Sequence, residues 1–157
     1  MKYLSLFENF NNLEFVWIHG LPGSGKTYLS NKIKKENPEK DFIILDDIGG
    51  FNKIEESVKD RRNIIMSSPF FENFNDFYPN FSDKLKDFLK TNGYGLKEYW
   101  FENNPEACIK NVKMRTDHKI DSRSVITEIP YYSTKYKIPP GVEALPVFQT
   151  INTKRIL

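Results

Sequence analysis

Hydrophobic positions along this chain repeat in two periods, and the switches between them divide it into elements. The run "EFVWIH" at 14–19 is aromatic and β-branched, the pattern of a buried strand. "KTYLSNKIKK" then sets Leu29 and Ile33 four apart, which predicts a helix over about 26–36. Pro38 disfavours helical geometry at Asn37 and closes it. "DFIILDD" reads as a second strand and "NKIEESVKDRR" as a short helix, with Asn52 as cap and Glu55 three residues on. "NIIMSS" is a third strand. "SDKLKDFLKTNG" is a helix with Leu85, Phe88 and Leu89 turned inward, capped by Ser82 and stopped at Gly93. "LKEYWFE" is a fourth strand, and "NPEACIKNVKMR" a helix with Asn104 as cap and Pro105 in the first turn. After the polar stretch "TDHKIDSRS", "GVEALPVFQT" reads as a last strand. Strands alternating with helices predict an α/β fold, a parallel sheet of about five strands with helices on both faces.

Ligands of such sheets bind beyond the carboxyl ends of the strands. Gly20–Thr27, Asp46-Asp47, Ser67-Ser68 and Glu102-Asn103 are therefore expected on one rim. The length, 157 residues, suits one domain over 1–157. Lys and Arg number 23 against 21 Asp and Glu, a net charge of +2, too mild to argue for or against a nucleic-acid partner. The single cysteine, Cys108, excludes an internal disulfide, fits a reducing compartment and is expected in core packing. No signal-peptide pattern opens the chain, and no apolar run approaches the length needed to cross a bilayer. A cytoplasmic protein without a membrane partner is the expectation, in a host cytoplasm if the chain is phage-encoded.

The rim has one specific motif. "GLPGSGKT" follows the first strand and opens the first helix, the spacing and context of a P-loop, or Walker A sequence. Glycines let backbone N–H groups approach a polyphosphate, and the helix adds the positive end of its dipole. Lys26 can reach the β- and γ-phosphates, and the Thr27 hydroxyl can ligate Mg²⁺. The expected nucleotide-binding set is Gly20, Leu21, Pro22, Gly23, Ser24, Gly25, Lys26, Thr27 and Tyr28, with ATP and Mg²⁺ bound and Thr27 as the metal ligand. The second strand ends in two acids. Asp46 or Asp47 could take a proton from an attacking hydroxyl, hold Mg²⁺, or cap the next helix. The third strand, where a metal-binding acid would often lie, ends instead in Ser67-Ser68, so metal ligation rests on Thr27, phosphate oxygens and water.

These residues carry a resemblance. "GLPGSGKT" with the strand-end Asp46 resembles the kinase domain of phage-type polynucleotide kinases, which pair a G-x-P-G-S-G-K-[ST] loop with a catalytic aspartate after the second strand. The likeness continues in arrangement through "NIIMSS", "EYWFEN" and "PEACIKNVKMR", over about residues 14–135. It implies a P-loop fold of the nucleoside- and nucleotide-kinase kind. Lys26 and Thr27 would serve ATP and Mg²⁺, Asp46 would be the base, and Arg115 a lid arginine that stabilises the transferring phosphoryl group. The chain departs from the family pattern at Leu45 and Gly49-Gly50, where basic residues often hold nucleic-acid phosphates, and at the third-strand serine. The acceptor implied is a nucleic-acid 5′-hydroxyl, a hydroxymethylated base or a nucleotide.

Arg115, Lys119 and Arg123 fall in one polar stretch, the expected lid at about 115–125, with Asn111 sharing the Arg115 face. Arginine suits such a lid because its planar fork pairs two oxygens at once. A solvated helix end is the plainer reading. His19 is expected to pack or hydrogen-bond within its strand, and His118 to face water. The aromatic stretch "SSPFFENFNDFYPNF" could stack bases or cover the end of the sheet, and "YYSTKYK" could do likewise or edge the core. The reading is an ATP-dependent kinase with Lys26, Asp46 and Arg115 as its catalytic residues. The alternative is a P-loop NTPase or ATP-binding switch that hydrolyses ATP and acts through a protein or DNA partner.

Overall fold

Leu13–His19 forms strand β1, and its position inside the sheet explains its composition. The computed structural model describes residues 13–46, 51–68, 80–115, 122–147, 149–151 and 154–156. Helix α1 spans Lys26–Glu36, and a 3₁₀ turn at Pro38–Lys40 leads to β2, Ile43–Asp46. Then follow α2 (Asn52–Lys59), β3 (Ile64–Ser68), α3 (Phe81–Thr91) and β4 (Tyr94–Trp100). Helices α4 (Pro105–Lys113) and α5 (Ser122–Lys135) precede strands β5 (Gln149–Ile151) and β6 (Lys154–Ile156). The sheet has four strands in the order β2-β3-β1-β4, all parallel. With β3 and β4 beside it and helices above and below, β1 carries apolar side chains on both faces.

Register sorts the core. Phe15 pairs with Ile64 and Ile64 with Ile43, while Trp17 pairs with Met66 and Met66 with Leu45. These residues share one face with Ile54 and Val58 of α2 and Phe81, Leu85 and Leu89 of α3. The alternate set, Val16, Ile18, Ile65 and Ile44, packs on Leu29 and Ile33 of α1. A third cluster joins Cys108 and Val112 of α4 to Ile129 of α5, and Leu21 of the glycine loop lies in it. Cys108 is fully buried, and burial pushes its thiol up to about 11, so it packs as an inert core residue as expected.

Among the described residues the parallel sheet has four strands where about five were expected. "GVEALPVFQT" supplies only a parallel bridge between Leu145 and Phe101, just beyond β4. Leu145 exchanges two 2.8 Å bonds there, with Trp100 O and Glu102 N. The next donor of that ladder would be the amide of residue 147, two positions on. The Val147 amide bonds to Glu102 Oε1 at 3.1 Å instead, and residues 149–151 pair antiparallel with β6. Two caps also differ. Asn80, with φ +63°, precedes α3, so that helix starts before Ser82, and Phe51 holds the cap position of α2 in place of Asn52. At α4 the expected cap is present: Asn104 accepts from the Ala107 amide at 3.1 Å. Gly93, with φ +79°, ends α3 as its lack of a Cβ allows. Among the described residues no helix is long and apolar enough to cross a membrane.

Candidate functional site at the glycine loop

The loop between β1 and α1 is shaped by backbone that only glycine adopts freely. Gly23 has φ +83° and Gly25 φ +110°, the second as the N-cap of α1. A Cβ on Gly20 would collide with Ser24 Oγ and stand 3.2 Å from Phe101 Cβ. A Cβ on Gly23 would stand 2.5 Å from the Cys108 carbonyl oxygen. The Ser24 amide closes the turn on Leu21 O at 3.1 Å. Asn111 of α4 completes the brace: its Nδ2 donates to Gly23 O at 3.0 Å, in a buried contact. The loop is thus seated on α4 by one hydrogen bond, one glycine contact and the Leu21 side chain.

Lys26 is 8% exposed, and its Nζ donates to Gly20 O at 3.0 Å and Leu21 O at 2.8 Å. The ammonium is therefore held against the loop it follows. No acidic residue of α1 itself occupies its first turn. Ser24 is fully buried, and its hydroxyl has no hydrogen-bond partner among the described residues. Pro22 is half-buried, and Tyr28 packs against the α1 face of the sheet.

The acid comes from β2. Asp46 pairs in register with Ser67, and Ser67 with Ile18, so the three share the face that α1 covers. That parity carries Asp46 to the start of α1. Its Oδ2 lies 3.5 Å from Thr27 Oγ1, and its Oδ1 accepts from Ser67 Oγ at 2.9 Å. Thr27 and Asp46 are exposed, whereas Ser67 is fully buried. A hydroxyl and a carboxylate side by side are hard oxygen donors of the kind Mg²⁺ takes, with waters and phosphate oxygens filling its other positions. Among the described residues no group of three or more His, Cys, Asp or Glu forms a metal cage, so a cation here would depend on such added oxygens.

Beside the loop, the rings of His19 and Trp100 stack at 3.6 Å and 7°. Burial holds the His19 imidazole below its usual value although Glu98, 3.1 Å from Nε2, opposes the shift. The same hydrogen bond keeps the Glu98 carboxyl below the ordinary range despite partial burial. A neutral His19 donating to an ionised Glu98 satisfies both, which makes this pair part of the scaffold.

Other expected rim residues are spent on structure. Glu102 accepts from Val147 N, and Asn103 binds the Ser133 carbonyl and hydroxyl at 2.8 Å each. The Tyr136 hydroxyl donates to Phe101 O at 2.6 Å and lies 3.3 Å from His19 O, so it ties the segment after α5 to the ends of β4 and β1. This makes "YYSTKYK" a core edge at Tyr136, while Tyr131 stays exposed. Arg115 follows α4 directly, half-buried and four residues beyond Asn111. Arg123 belongs to the first turn of α5, and its side chain, like Asp47, Lys119, His118 and the 116–121 part of the expected lid, lies outside the described residues. So do Phe70, Phe71, Phe74, Phe77 and Tyr78, whereas Phe81 is a core residue. Sequence reasoning gave Ser67 and Asn111 no roles of their own. Their signals were positional: one stands at the rim beside the acid, the other one turn before Arg115.

No family model matches the chain. It is 28% identical over 127 residues to an uncharacterized protein of Acanthamoeba polyphaga mimivirus, in an alignment that covers 80% of this chain and 87% of that protein.

Proposed function

We propose that this chain is a P-loop phosphotransferase that moves the γ-phosphoryl group of ATP to a hydroxyl of a nucleic acid or nucleotide. The observation that carries the reading is the meeting of Thr27 and Asp46 at 3.5 Å, at the mouth of a glycine loop whose lysine is already turned inward. A nucleotide entering the loop would exchange the two carbonyl partners of Lys26 for phosphate oxygens and add the amides at the start of α1. Asp46 is the one described acid at this corner. It would accept the proton of the acceptor hydroxyl as that oxygen bonds to the γ-phosphorus, while the bond to the β-phosphate oxygen breaks and ADP leaves. Mg²⁺, held through Thr27 with Asp46 beside it, would neutralise charge on the β- and γ-oxygens. Arg115, two residues past the helix that braces the loop, would supply positive charge to the transferring group.

Incubating the protein with γ-labelled ATP, Mg²⁺ and an acceptor panel tests this. The panel holds 5′-hydroxyl oligonucleotides, DNA with hydroxymethylated bases, nucleosides and nucleotides. Label should appear on one acceptor class and be lost in Asp46→Asn. Release of labelled phosphate to water alone, with no labelled acceptor, would replace this reading with an ATP-hydrolysing switch.

A further inference from the structure

We infer that Ser67 is a positioning residue, one that turns the Asp46 carboxylate toward the Thr27 hydroxyl and so builds the metal side of the nucleotide site. The inference rests on the phosphotransferase reading and adds to it a residue that touches neither nucleotide nor metal. Asp46 ends a strand of only four residues at the edge of the sheet, and it is exposed. Strand parity sets that carboxylate on the α1 side, but its side-chain torsions are free to turn either oxygen away from Thr27. Ser67 differs in both respects. It lies on β3, between β2 and β1, and is fully buried. Register sets it directly beside Asp46, and its hydroxyl donates to Oδ1 at 2.9 Å. With Oδ1 held from the sheet, Oδ2 is the oxygen left to meet Thr27.

The residue type follows from the same geometry. An acid at position 67 would set two carboxylates side by side, and their repulsion would raise a pKa or turn Asp46 away. An alanine would leave Asp46 to rotate. A hydroxyl is small enough for a fully packed site and supplies a donor. Outer partners of this kind typically change metal affinity or activity about 10–100-fold when removed.

The test is a fluorescence titration of the full chain with mant-ATP, in EDTA and in Mg²⁺, for wild type, Ser67→Ala, Asp46→Asn and the double variant. Ser67→Cys, nearly the same size and a weak donor, guards against a packing fault. Wild type should bind more tightly with Mg²⁺. Ser67→Ala should match it in EDTA yet lose about tenfold of the Mg²⁺-dependent gain. Ser67→Cys should fall between. In the Asp46→Asn background, Ser67→Ala should add nothing. Equal losses with and without Mg²⁺, an unchanged gain, or the same loss in both backgrounds would each overturn the role of Ser67 while leaving the phosphotransferase reading intact. A wild-type chain that fails to bind mant-ATP, or binds it without regard to Mg²⁺, would overturn both.

Discussion

Asn111 and Gly23, 88 positions apart, are joined by a buried hydrogen bond from the amide of one to the carbonyl of the other. This bond and the glycine beneath it make α4 the support of the loop. Asn111→Leu should therefore weaken mant-ATP binding several-fold and lower stability by about 1–3 kcal/mol, since a buried carbonyl loses its donor. Equilibrium urea unfolding and the same titration would check the two effects together.

Gly23→Ala should be worse than the usual exchange of those residues. The new methyl would sit 2.5 Å from the Cys108 carbonyl oxygen on a backbone at φ +83°, so both the local conformation and the α4 contact must give. A loss of about 2 kcal/mol or more, read as a lower urea midpoint at constant slope, is the expected outcome.

Lys26→Ala should reduce phosphoryl transfer by at least about 10²-fold, the scale found when a charge stabilising the transition state is removed. Two buried carbonyls also lose their donor, so stability should fall as well, by about 1–3 kcal/mol. Circular dichroism with a single-turnover assay would separate loss of chemistry from loss of structure.

Stability should fall as the pH drops below the ordinary histidine range. The folded-state pKa of His19 is depressed below 6.5, so the unfolded chain binds the proton first as pH falls. The stability contributed by the neutral ring is complete above pH 6.5 and declines below it, by at most about 1.4 kcal/mol per pH unit, until the folded-state value is reached. Glu14 and Glu98 are held below 4.5 and act only at lower pH, Glu14 because Lys40 and Lys97 outweigh its burial. Urea midpoints at pH 7.5 and 5.5 should thus differ in wild type, and differ less in His19→Gln.

Tyr136→Phe should cost about 1–2 kcal/mol while leaving the glycine loop in place. Burial pushes the phenol well above its ordinary value, so at neutral pH its hydroxyl keeps the proton it donates to Phe101 O. Thermal unfolding of the variant would measure the tie between α5 and the sheet.

Much of this arrangement was legible in the chain. β1, the loop and α1 announce themselves because a buried strand, a run of glycines and an amphipathic turn follow one another without interruption. Asp46 was legible as a strand-end acid, but not its direction. Only the pairing of Asp46 with Ser67 and of Ser67 with Ile18 tells which face it takes, and pairing is a property of three strands at once. Helix α5 was hidden for another reason. Ile129 is buried and Val125, Ile126 and Tyr132 are partly buried along one side of it, yet Pro130 sits inside it and breaks the pattern. Pro130 is tolerated on the exposed side, where the missing N–H leaves its would-be partner to solvent. The expected fifth strand stops after Leu145 because the Val147 amide takes the Glu102 side chain in place of a ladder carbonyl, a choice no local pattern reveals.

The inward fold of Lys26 also has a meaning for affinity. An ammonium already solvated by two backbone oxygens does not wait bare for its ligand, so any polyphosphate that enters must compete with an incumbent shell. Measured binding is then the difference between two nearly matched solvation states, and a small anion that cannot also engage the helix amides should scarcely displace the first.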